Sequence, residues 1–130
     1  MGKFSGRSLE NLNDAHADLR RLFDEVVKIS DCTILCGYRN ERTQNEMYRS
    51  GKSQLPWPKS KHNMKPSLAV DVAPYPIDFK DILRFVMFSD LVKMVAKQLG
   101  IDVVWGGDWR SFKDYVHWEL KPKAKQPKRA

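Results

Sequence analysis

Histidine and cysteine are scarce in this chain, three and two among 130 residues. Cys32 and Cys36 sit four apart in the apolar run DCTILCG. Strand alternation puts them on one face but too far apart along it to bridge, so they are expected to be two reduced core thiols and no disulfide framework is implied. No uninterrupted apolar run approaches the roughly 18 residues a membrane span needs, which excludes a transmembrane helix and leads to a soluble protein. The opening MGKFSGRSLENL lacks an apolar h-region and a cleavage site, and Gly6 stands where myristoylation needs Ser or Thr. The expectation is a protein made in a cytoplasm without a signal peptide. There is also no HExxH, so the helix-borne zinc peptidase signature is absent.

What is present suits one domain. A chain of this length buries roughly two thirds of its unfolded surface and folds without staples. The formal charge is +7, and the tail KPKAKQPKRA holds five basic residues and no acid. The reading is a domain over 1–120 followed by a basic, disordered tail over 121–130. Such a charge favours a polyanionic partner: nucleic acid, anionic lipid or an anionic cell-envelope polymer.

Apolar residues recur at helical spacing over 8–29, with Leu9, Leu12, Leu19, Leu22, Phe23, Val26 and Val27 on one side, Ser8 as N-cap and His16 inside the helix. CTILCGYR reads as a strand, followed by a helix from about 40 to 50 that Gly51 ends in the left-handed conformation. Residues 52–67 have no periodicity and are rich in proline, serine and lysine, a long loop of the kind that carries function. A strand follows through LAVDVAPY. A second helix covers about 82–99, with Leu83, Val86, Met87, Leu91, Met94, Val95 and Leu99 as its core side and Gly100 as its cap. The end reads strand, turn, strand: IDVVW, GGDWRSFKD, YVHWEL. In the turn, two glycines permit positive φ and close backbone approach, and the flanking tryptophans can wall a cleft.

Within this frame Asp71 is anomalous. A carboxylate between Val70 and Val72 is costly unless a cation faces it. A salt bridge to one of 23 basic residues would satisfy it. His62, Asp71 and His117 would satisfy it differently, as two imidazoles and a carboxylate that leave a tetrahedral zinc ion one open position, the pattern of catalytic zinc. Asp114, three residues before His117, could enter the same site, or be an exposed turn residue.

The segments SKHNMKPSLAVD and WGGDWRSFKDYVHWEL resemble the metal-binding motifs of the D-alanyl-D-alanine carboxypeptidase and L-alanyl-D-glutamate endopeptidase family of zinc peptidases, which includes many phage endolysins. Ser60 and His62, Ala69 and Asp71, Trp105 to Trp109, and Asp114, His117, Trp118 and Glu119 fall on the motif positions. GYRNERTQNEMYRSG is similar to the family's early arginine-containing region, and the likeness spans most of residues 37–120. The chain departs from the pattern in its longer spacing between His62 and Asp71, and in Ser67, which stands where the family has glycine; the loop there is expected to bulge.

The resemblance implies zinc ligands His62, Asp71 and His117, a proton-transferring Asp114 and a substrate-contacting, oxyanion-stabilising Arg39. It also implies substrate contacts at Ser60, Trp105 and Trp109, and an orienting Glu119. The implied fold is α+β, a small antiparallel sheet carrying the zinc site with helices packed on its outer face. The implied activity is peptidoglycan stem-peptide hydrolysis, as an L-alanyl-D-glutamate endopeptidase acting as a monomeric phage endolysin. It would be released from the host cytoplasm through a holin-type lesion, with the tail on anionic envelope polymers. A D-Ala-D-Ala carboxypeptidase or dipeptidase is the alternative within the family. From a different class, a basic module could use Trp57, Trp105 and Trp109 to hold nucleic acid or glycan without cutting it.

Overall fold

The computed structural model describes residues 2–122. Its helices are α1 (Gly6–Asn13), α2 (Ala17–Ile29), α3 (Glu41–Arg49) and α4 (Ile82–Leu99), and its strands are β1 (Cys32–Cys36), β2 (Ala69–Pro74), β3 (Val103–Trp105) and β4 (His117–Leu120). The strands form one antiparallel sheet in the order β1-β2-β4-β3. This is the expected α+β arrangement. Among the described residues no helix is long and apolar enough to cross a membrane.

Strand alternation divides the sheet into two chemically different faces. Val70 and Val72 of β2, Ile34 of β1 and Trp118 of β4 are buried with Leu19, Leu22, Phe23 and Val26 of α2 and Phe85, Phe88 and Val92 of α4. Asp71 and His117, paired across β2 and β4, point the other way. The two helices thus cover one face and leave the second for the polar residues.

The single helix expected over 8–29 is two helices. The break occurs because residues 14–16 bond to the long loop instead of continuing the helix: His16 N–H donates to Ser67 O at 2.8 Å and Ser67 N–H to Asp14 O at 2.9 Å. His16 is therefore not inside a helix but is the N-cap of α2, its Nδ1 accepting from Asp18 N–H at 3.0 Å. Ser8 lies within α1 and accepts from Ile34 N–H instead of capping. Around α3 the expectation holds: Asn40 caps the start through Thr43 N–H, and Gly51 follows the end at φ 78°.

Two faces are assigned differently from the sequence reading. The buried side of α4 is Phe85, Phe88, Ser89, Val92, Val95 and Ala96. Leu83 and Met87 are 68% and 64% exposed, and Val86 and Met94 are exposed with them. The helix is apolar on most of its circumference, so periodicity alone cannot select the stripe, and the bulkier phenylalanines take the core. In β1, the register shifts between Ile34 and Cys36. That bulge turns Cys36 onto the polar face opposite Asp71, while Cys32 stays in the core; the cysteines occupy opposite faces, not one.

Candidate metal centre

Asp71 is the centre of the polar face. One carboxylate oxygen, Oδ1, lies 3.1 Å from His62 Nε2 and 3.5 Å from His117 Nδ1. Its other oxygen, Oδ2, accepts from Arg39 Nη2 at 3.3 Å. The two imidazole rings meet edge to face with centroids 5.2 Å apart. The three expected ligands are thus brought together although they come from a loop and two strands.

The outward nitrogens decide which atoms can bind a cation. His62 Nδ1 is 2.8 Å from Gly37 O, a group that can only accept, so Nδ1 carries the proton. His117 Nε2 is 2.8 Å from Glu119 Oε1, again an acceptor. In the neutral rings, Nε2 of His62 and Nδ1 of His117 are then left with lone pairs aimed at Asp71. Metal-binding histidines are held in this way, with the second nitrogen pinned by a carbonyl or carboxylate. The donor set fits a divalent ion such as zinc.

The charges agree with that reading. Burial disfavours a charged His62, yet the Asp71 carboxylate outweighs it and raises the ring to about 10. Burial likewise opposes charge on Asp71, but His62 and His117 hold its carboxyl well below the usual range. His117 is raised despite burial, through Asp71 and Glu119. The carboxylate between them thus shifts both imidazoles toward their charged forms, as expected of a position that favours positive charge.

Asp114 completes the wall. Its carboxylate, Asp71 and the His117 ring bring one ligand-type atom each within 4.8 Å of one another. Burial, then the negative Asp71, raises its pKa, the direction that suits a proton-transfer group. Gly106 explains how Asp114 comes so close. A Cβ there would overlap the Asp114 carbonyl oxygen and stand 3.0 Å from the Cβ atoms of Asp114 and His117. Close approach, not positive φ, is the reason for glycine here, since neither Gly106 nor Gly107 has positive φ.

These groups line a cavity of about 610 Å³. Ser60 lines it too, and its hydroxyl accepts from His62 N–H at 3.2 Å, capping the 3₁₀ turn Lys61–Asn63 that carries His62. Trp109 covers His117 with ring centroids 5.0 Å apart. Trp105, expected to contact substrate, is instead 5% exposed in the core, stacked on Trp118 and donating from Nε1 to Tyr115 O. Its place in β3 opposite Trp118 puts it on the apolar face. Trp57 is half-buried, its backbone N–H bound to Asn45.

Several residues that sequence reasoning did not assign hold the centre in place. Gln44, fully buried, accepts from Arg39 Nη1 at 3.0 Å and from Asn63 Nδ2 at 3.2 Å, and donates to Leu55 O at 2.6 Å. It ties α3, Arg39 and the long loop together. Lys61 Nζ sits 2.6 Å from Glu119 Oε2, so one lysine fixes the carboxylate that fixes His117. Ser67, where the loop departs from the family pattern, is fully buried and donates its hydroxyl to Ala69 O at 2.6 Å. Gln44 lies in the early arginine-containing region and Ser67 at the departure from the family pattern, while Lys61 is marked only by its place beside His62.

The sequence model of a family described as phage L-alanyl-D-glutamate peptidase matches residues 1–124. The chain belongs to this family. The L-alanyl-D-glutamate peptidase of Escherichia phage T5 is 32% identical over 125 residues, covering 92% of this chain and 89% of the relative. The peptidoglycan L-alanyl-D-glutamate endopeptidase CwlK of Bacillus subtilis is 34% identical over 107 residues, covering 71% of this chain and 62% of the relative. The fold agrees as well: the crystal structure of the L-Ala D-Glu endopeptidase ChiX from Serratia marcescens superposes with a TM-score of 0.79 at 32% identity, covering 91% of this chain and 89% of that one. Family membership thus rests on both sequence and fold.

Proposed function

We propose that the protein is a zinc-dependent peptidase that cuts the L-alanyl-D-glutamate bond of peptidoglycan stem peptides, acting as a phage endolysin. The observation that carries this reading is the convergence of His62 Nε2 and His117 Nδ1 on Asp71 Oδ1, with Asp114 beside them in an open cavity. Structural zinc sites are closed by four ligands, mostly cysteine with histidine, whereas two imidazoles and a carboxylate that open on a cavity match the catalytic pattern.

His62, Asp71 and His117 would hold the ion, and Gly37 O and Glu119 keep both rings turned toward it. When bound, zinc supplies Lewis acidity, lowering the pKa of water toward about 7 and polarising a carbonyl. Asp114 takes the proton from the attacking water and returns it to the departing amine of D-glutamate. Arg39 has two tasks: it steadies Asp71 and, from the cavity wall, it faces the substrate's carboxylate or the developing oxyanion. Trp109 and Ser60 line the substrate's path.

As a lysin the monomeric protein would accumulate in the host cytoplasm and reach the wall through a holin-type lesion. Residues 123–130 of the basic tail lie outside the described residues. Deleting 121–130 is expected to weaken lysis of whole cells at low salt more than cleavage of a soluble fragment, and equal losses would contradict a role on anionic envelope polymers.

Turbidity of purified peptidoglycan tests the main reading. Clearing is expected to stop with chelator, return with zinc and be absent in Asp114→Ala. Clearing that ignores chelator, or that Asp114→Ala retains in full, would overturn it.

A further inference from the structure

Cys36 is a thiol on the polar face that the hydrolytic arrangement does not use. The bulge in β1 sets it opposite Asp71. Its sulfur, one His62 ring nitrogen and one Asp71 oxygen all lie within 4.8 Å of one another. Sγ is 3.7 Å from Gly37 O and 3.8 Å from Arg39 Nη2, the same nitrogen that donates to Asp71 Oδ2 at 3.3 Å, so a cation entering between Cys36 and Asp71 takes the place of the guanidinium. It does not line the cavity but stands behind the wall that His62 and Asp71 form.

We infer that Cys36, His62 and Asp71 form a second metal position, selective for thiophilic divalent ions, that shares two donors with the hydrolytic set of His62, Asp71 and His117. The inference rests on the reading of His62 and Asp71 as ligands. A thiolate favours zinc or cadmium over magnesium or manganese. As the sulfur–metal bond forms, the thiol proton passes to solvent. An ion in this position draws His62 and Asp71 away from His117 and Asp114. Cadmium and excess zinc therefore inhibit through Cys36.

Cobalt(II) titration of the chelator-treated full-length protein provides the test, with Cys36→Ser and Cys32→Ala alongside. The chain has no third cysteine, and Cys32 lies in the core, so Cys32→Ala is the internal control. Visible cobalt bands are expected in all three proteins. A near-ultraviolet sulfur-to-cobalt charge-transfer band is expected in wild type and Cys32→Ala and lost in Cys36→Ser. Relative to its own uninhibited rate, Cys36→Ser should also resist cadmium better than wild type. Visible bands with no charge-transfer band in wild type overturn this inference and leave the hydrolytic reading intact. A folded wild type that binds no cobalt overturns both. Should Cys36→Ser fail to fold, X-ray absorption of zinc-loaded Cys32→Ala decides: a sulfur neighbour at about 2.3 Å supports the site, and a shell of only nitrogen and oxygen contradicts it.

Discussion

The two faces of β2 and β4 are built from alternate residues of the same strands but face opposite demands. Val70, Val72 and Trp118 are sealed between sheet and helices, while Asp71, His117 and Glu119 face a cavity with a guanidinium, a lysine and a second imidazole around them. The apolar face needs only volume and shape. The polar face needs each donor matched to an acceptor, because an unmatched charge at that depth is expensive. The sheet thus lets core packing hold a charged cluster rigidly, and the two faces should fail differently under mutation.

The largest effect is expected on the polar face. Asp114→Asn should lower kcat by roughly 10²–10⁴-fold with metal content and Tm unchanged, measured by single-turnover cleavage of a stem-peptide fragment. A large fall in Tm instead would make Asp114 a structural residue. The same carboxyl predicts the acid side of the pH profile. Its pKa is raised from the ordinary aspartate value, chiefly by burial, so the carboxylate that accepts the proton is lost as pH falls through that raised pKa. The acid limb of kcat/KM should lie correspondingly high and vanish in Asp114→Asn.

On the apolar face Trp118→Ala should cost about 3–5 kcal/mol in denaturant unfolding, with the cavity chemistry disturbed only as the fold loosens. Trp118→Phe should cost far less, because Trp118 Nε1 is buried without a partner and its removal leaves nothing further unsatisfied. Between the faces, Glu119→Gln should weaken zinc binding about 10–100-fold in a chelator competition, because His117 loses its charged orienting partner. Least affected should be Met87→Ser on the exposed side of α4, within about 0.5 kcal/mol of wild type. Loss of several kcal/mol there would return Met87 to the core side that periodicity first suggested.

These contrasts also explain what the residue pattern could and could not reveal. Asp71 is conspicuous because a carboxylate between two valines has to be answered by a cation, and the motif positions bring His62 and His117 to it. The order of elements follows from periodicity and from Gly51 and Gly100. The break at residues 14–16 is invisible locally, since its cause is a bond to Ser67, some fifty residues later in the chain. The face of Cys36 depends on a bulge, and a one-residue shift moves a side chain to the other side of a sheet. Trp105 looks like a cleft wall beside two glycines, but its register with Trp118 buries it. Lys61 is one lysine among many until the fold sets it against Glu119.

The polar face of this sheet is proposed to bind a metal ion and cut one particular bond. Mass spectrometry of purified peptidoglycan digested with zinc-loaded protein tests this proposal most directly. Fragments with a newly exposed N-terminal D-glutamate are expected, absent after chelation and restored by zinc. Release of terminal D-alanine, or no product from a folded and metal-loaded protein, would contradict it.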